Sequence, residues 1–142
     1  MNKSLSSYGI LVLGIVILLL AGLASCKDSS NPVSDLDKIV FPPKDISYEK
    51  QVQPLFNIGC ANVGCHERGG DPKFQLDLTS YATATANRQG LMIVPKDTAN
   101  SILVGCIEGR PGSFPMPPAR PLNLNQIIGL KQWILEGAAD TP

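Results

Sequence analysis

Apolar positions along the chain fall into three regimes. Ile10 to Leu23 is a nearly unbroken apolar run, interrupted only by Gly14 and Gly22. Lys27 to Lys44 is rich in Ser, Asp, Asn and Pro, and Pro32, Pro42 and Pro43 oppose regular structure there. From about Asp45 onward, apolar residues recur at helical spacing. Ser47 predicts the cap of a helix reaching about Asn57, with Val52, Leu55 and Phe56 on one face. Pro54 inside it predicts a kink or a shortening. Thr79 or Ser80 predicts the start of a short helix through Ala86. The turn Pro95-Lys96-Asp97 leads into a third, with Asp97 as cap and Ile102, Leu103, Cys106 and Ile107 on one side. The last helix has the strongest signal. Asn123 caps it, Gln126 completes a capping box, Leu124, Ile127, Ile128, Ile134 and Leu135 form the stripe, and Gly137 stops it. Gln75 to Leu78 suits a brief extended segment. No run of strand patterns and no internal repeat occur, so the expected fold is mostly α.

The first apolar run is short for a membrane span and is followed by small residues, after a positive start at Lys3. It predicts an export signal over residues 1–25. Leu23-Ala24-Ser25-Cys26 resembles the bacterial lipoprotein cleavage box. That resemblance implies cleavage before Cys26 and acylation of its sulfur and amine; the competing reading is a plain transmembrane anchor with Cys26 incidental. Either way the rest of the chain is expected outside the cytoplasm and tethered to a membrane. The expected organisation is then residues 26–44 as acylated cysteine and flexible tether, and 45–142 as one folded domain.

Charge narrows the function classes. Twelve Lys and Arg balance 12 Asp and Glu, which argues against a nucleic-acid partner, since that needs a basic face. A domain this small has a marginal core of its own and calls for a staple.

The candidate chemistry lies in Cys60-Ala61-Asn62-Val63-Gly64-Cys65-His66. A c-type haem needs two thiols to add across its vinyl groups and an imidazole beneath the iron. A histidine directly after the second cysteine meets that need. The usual spacing leaves two residues between the cysteines; here there are four. Two residues must loop out, which Asn62 and Gly64 suit because both tolerate unusual backbone angles. His66 is the single histidine of the chain. Three other readings stay open: a Cys60–Cys65 disulfide, favoured by an oxidising compartment; a zinc site of Cys60, Cys65, His66 and Cys106; and a chance arrangement around a core histidine.

The iron of such a haem needs a sixth ligand or an open site. Met116 lies in Phe114-Pro115-Met116-Pro117-Pro118, a stretch that cannot be helical and that stiffens the loop. Met92, in Leu91-Met92-Ile93-Val94, has the flanks of a core residue. Met116 is therefore the expected ligand, and His/Met ligation tends to raise the potential, which suits an electron carrier.

From Val52-Gln53-Pro54-Leu55-Phe56 to Gly137-Ala138-Ala139-Asp140 the chain resembles the small cytochrome c domains of exported planctomycete- and Bacteroidota-type proteins. The matching features are the Cys-His motif after Pro-Leu-Phe, Ile93-Val94-Pro95 with Ser101-Ile102-Leu103, Met116-Pro117-Pro118, and Leu130-Lys131-Gln132-Trp133-Ile134 before Glu136-Gly137-Ala138. The resemblance implies a cytochrome-c-like fold around one covalent haem c. It implies Cys60 and Cys65 as thioethers, His66 as proximal ligand and Met116 as distal ligand. The chain departs from the family's commonest pattern in its motif spacing and in Cys106. With Cys26 acylated and haem on the other two, Cys106 is expected as a buried, inert thiol; a Cys60–Cys106 bridge, with haem on Cys65 alone, is the alternative. The expected function is one-electron transfer with redox partner proteins. A zinc- or disulfide-stapled binding module is the competing class. A catalytic haem protein is less favoured, because no second histidine offers distal acid–base chemistry.

Overall fold

The computed structural model describes residues 32–69, 76–86 and 91–141. Among them the structure is mostly helical and contains no strand. Helix α1 spans Pro32–Asp37. A π-helical turn, Tyr48–Val52, runs directly into α2, Gln53–Gly59. Helix α3 is Tyr81–Ala86, α4 is Ile102–Glu108 and α5 is Leu124–Leu135.

The caps explain several of these limits. Ser47 accepts from the Lys50 N–H, as its sequence position predicts. Pro54 falls in the first turn of α2, where its missing N–H costs nothing. It ends the wide turn before it rather than kinking a continuous helix. Asn123 and Gln126 form the reciprocal capping box of α5. The third helix departs from expectation. Asp97 accepts from the Ala99 and Asn100 N–H groups and so holds a turn, and α4 starts only after Ser101. Ser101 is itself buried, donating to the Asp97 carbonyl at 2.7 Å.

The core gathers Val52, Leu55 and Phe56 with Val104, Leu130, Trp133 and Ile134, all at 1% exposure or less. Tyr48 links its aromatic part, edge-on to Tyr81 at 5.1 Å and tilted against Trp133 at 5.6 Å. Residues 138–141 close over it: the Trp133 indole donates to the Ala139 carbonyl and the Tyr81 hydroxyl to that of Ala138. Ser47 and Glu49 both donate to the Thr141 carbonyl.

The buried face of α5 differs from the expected stripe. Leu124, Ile128 and Leu135 are exposed at 71%, 54% and 49%, whereas Gln126, Gly129, Leu130, Trp133 and Ile134 are buried. The reason is what packs there. The Gln126 amide donates to the Leu36 carbonyl at 2.7 Å, and Asn125 exchanges two hydrogen bonds with the Phe41 backbone. Leu36 and Phe41 are both buried, each worth about 1.5–3 kcal/mol on full burial. The stretch expected as a tether to residue 44 is thus largely part of the body. The compact unit is Pro32–Pro142, which leaves only 27–31 of that stretch ahead of it. The expected signal at 1–25 and Cys26 lie outside the described residues. No helix among the described residues is long and apolar enough to cross a membrane.

Candidate functional site

Helix α2 delivers the Cys-His motif. Its last turn ends at Gly59, which carries no side chain where Leu36 approaches; a β-carbon there would meet Leu36 Cδ1 at 3.3 Å. The N–H groups of Cys60 and Ala61 both reach back to the Phe56 carbonyl, a shared bond common at helix ends. The chain then turns out of the helix and comes back on itself. The Cys65 N–H bonds the Asn62 carbonyl at 2.8 Å, and the His66 N–H bonds the Cys60 carbonyl at 3.1 Å. The seven motif residues thereby make one closed loop whose ends meet.

Of the two residues expected to take unusual backbone angles, Gly64 does so and Asn62 does not take a positive φ, contributing its side chain instead. Gly64 has φ +78°, open to glycine without strain. The Asn62 amide caps the helix end by donating to the Ile58 carbonyl. Val63 points outward, 90% exposed. Glu67 contributes a contact that sequence reasoning missed: its carboxylate accepts the Gly64 N–H at 2.8 Å. The three-residue spacing from Gly64 to Glu67, usual for such a side-chain cap, was the available signal. On the exit side, the Leu78 N–H bonds the His66 carbonyl, and the Gln53 amide bonds the Leu78 carbonyl. The loop is therefore pinned to both ends of α2.

The two thiols face different surroundings. Burial pushes the Cys60 thiol up to about 12, and the nearby Cys65 sulfur adds to that. Cys65 is exposed and His66 half-buried, with its Nδ1 shut off from solvent. No Cys60–Cys65 or Cys60–Cys106 disulfide is formed. Among the described residues no three His, Cys, Asp or Glu side chains converge as metal ligands. The zinc set of Cys60, Cys65, His66 and Cys106 is accordingly not assembled. The donor chemistry of the closed loop, two thiols within electrostatic reach of each other and an adjoining imidazole, fits covalent haem attachment.

Met116 comes from another element. The loop after α4 leaves through Gly109 at φ +63° and returns so that the Met116 N–H bonds the Cys106 carbonyl at 3.0 Å. Met116 is half-buried and its bond to Pro117 is cis, while neighbouring Phe114 is 82% exposed. Met92 is 4% exposed in the core, in keeping with its apolar flanks. Cys106 is half-buried rather than fully enclosed. A cleft of about 420 Å³ lies among Ser47, Trp133, Glu136 and Thr141, and none of the motif residues lines it.

No protein-family model, curated protein or solved structure matches the chain.

Proposed function

We propose that the protein is an exported, lipid-anchored monohaem cytochrome c that passes single electrons between redox partner proteins. The observation that carries this reading is the closed loop from Cys60 to His66, which holds both thiols and the chain's single histidine together at the end of a helix. The mostly helical body of the described residues, with no strand among them and aromatic rings in its core, is compatible with a cytochrome-c-like arrangement.

In this reading each residue has one task. Cys60 and Cys65 would hold the haem by adding their S–H bonds across its two vinyl groups, each sulfur bonding one vinyl carbon and each hydrogen its neighbour. The addition needs no oxidant. His66 would hold the iron through a ring nitrogen and Met116 through its thioether. When bound, the haem would supply the one-electron ferric–ferrous couple, with a potential tuned by the residues that hold its iron. Cys26 acylation anchors the domain, and the balanced formal charge argues against a nucleic-acid partner.

The test is an absorption spectrum of the protein produced together with cytochrome c maturation factors. Sharp ferrous bands of a low-spin c-type haem support the reading. A colourless, folded protein contradicts it.

A further inference from the structure

We infer that Gly105 and Ser113 together position Met116: the bare backbone at Gly105 seats the Ser113 turn on α4, and that seat fixes where the methionine is presented. The inference rests on the proposed role of Met116 as iron ligand.

Glycine inside a helix costs about 1 kcal/mol relative to alanine, so its presence within α4 calls for a local reason. Space supplies one. Gly105 is buried, and a β-carbon on it would lie 2.7 Å from Ser113 Oγ and 3.7 Å from Ser113 Cβ. A β-carbon fits between the helix and that turn only if the Ser113 hydroxyl rotates away. Backbone bonds hold the turn from both ends. The Gly105 carbonyl accepts from the Arg110 N–H at 2.9 Å, and the next carbonyl, of Cys106, accepts from the Met116 N–H at 3.0 Å. Within the loop, the Ser113 N–H bonds the Arg110 carbonyl at 3.0 Å. Arg110 in turn donates from Nη1 to the Ala99 carbonyl at 3.0 Å, tying the loop's start to the segment before α4. Consecutive carbonyls of one helical turn therefore grip residues 110 and 116, with Ser113 pressed on the helix between them. Lifting Ser113 strains the grip on Met116, although Gly105 itself touches no ligand.

The pair makes a discriminating set of variants. In Gly105→Ala, rotation of the Ser113 hydroxyl can absorb much of the clash. In Gly105→Val it cannot, because Ser113 Cβ stands over the same point. The experiment uses the haem-loaded protein and reads the weak red ferric band of sulfur ligation, carbon monoxide binding to the ferrous form, and hydrogen exchange at the Met116 amide. Gly105→Val is expected to weaken the band, admit carbon monoxide, and speed Met116 exchange by about tenfold or more. Adding Ser113→Gly to the same chain is expected to restore all three readouts. If the valine variant does not fold, Gly105→Ala with and without Ser113→Gly gives the same comparison with smaller shifts. An unchanged band and unchanged exchange in the Gly105 variants, or no rescue by Ser113→Gly, overturns the inference. Met116→Ala run alongside separates the two ideas: if that variant keeps the band, the ligand assignment fails. Loss of the band in Met116→Ala with an intact band in Gly105→Val means that the positioning inference fails alone.

Discussion

The ring of Phe41 lies against the bare backbone of Gly129, so closely that a β-carbon at Gly129 would collide with Cβ, Cγ and Cδ1 of the phenylalanine. The contact joins a segment that reads as linker to the best-defined helix of the fold. It predicts that Gly129→Ala destabilises the protein by about 1–3 kcal/mol through overpacking, although alanine is the better helix former. Phe41→Ala should cost about 3–5 kcal/mol. In the Phe41→Ala background the Gly129→Ala penalty should shrink, because the ring is gone, but not vanish, because Cβ of residue 41 remains in the way. Denaturant unfolding of the four proteins measures this coupling, and simple additivity would contradict it.

Acid should loosen the junction between residues 45–46 and the end of α5. Burial pushes the Glu136 carboxyl up, but the Gln132 side chain and the N–H groups of Ile46 and Asp45 more than offset it, holding the group below its ordinary 4.5. A depressed folded value means that the stabilisation is complete above the unfolded value and is lost as pH falls through the folded one. Stability should therefore decline on going from about pH 5 to pH 3, and less steeply in Glu136→Gln. Urea midpoints across that range test the sign; equal slopes for the two proteins would count against it.

The two methionines should separate by spectroscopy and stability. Met116→Ala should keep the haem, lose the red ferric band, bind carbon monoxide when reduced and lower the potential. Met92→Ala should keep the band and cost about 2–5 kcal/mol, because its side chain is buried. A band lost with Met92 and kept without Met116 would reverse the assignment.

Cys26→Ser tests the anchor. Metabolic labelling with a fatty acid should mark the parent protein and not the variant, and the variant should leave the membrane fraction if another peptidase cuts it. Equal labelling and processing of both would exclude acylation at Cys26.

Local signals in the sequence carried local structure well. The Asn123–Gln126 box and the Ser47 cap act over three residues, and both form as written. Misreadings arose where the deciding partner was distant. Gln126 and Gly129 break an apolar stripe on paper, but the Leu36 carbonyl and the Phe41 ring make them the buried face. Neither partner can be guessed from the periodicity of α5, and Pro32, Pro42 and Pro43 made their own segment look like spacer. Asp97 reads as the helix start, but the helix begins after Ser101, whose hydroxyl accepts from the Val94 N–H and donates to the Asp97 carbonyl. The Cys-His motif offers its candidate chemistry through residue types alone. The closure of its loop by the His66 N–H and the Cys60 carbonyl, and its brace at Glu67, required the fold.

Covalent attachment at Cys60 and Cys65 is the central claim, and the intact mass of the denatured protein tests it most directly. Protein made with the maturation factors is unfolded, extracted with acidic organic solvent to strip any non-covalent haem, and weighed. The account predicts a chain that retains the mass of one haem and the red colour, and loses both in the Cys60→Ala, Cys65→Ala double variant. A bare chain, with all colour passing into the solvent, would contradict it.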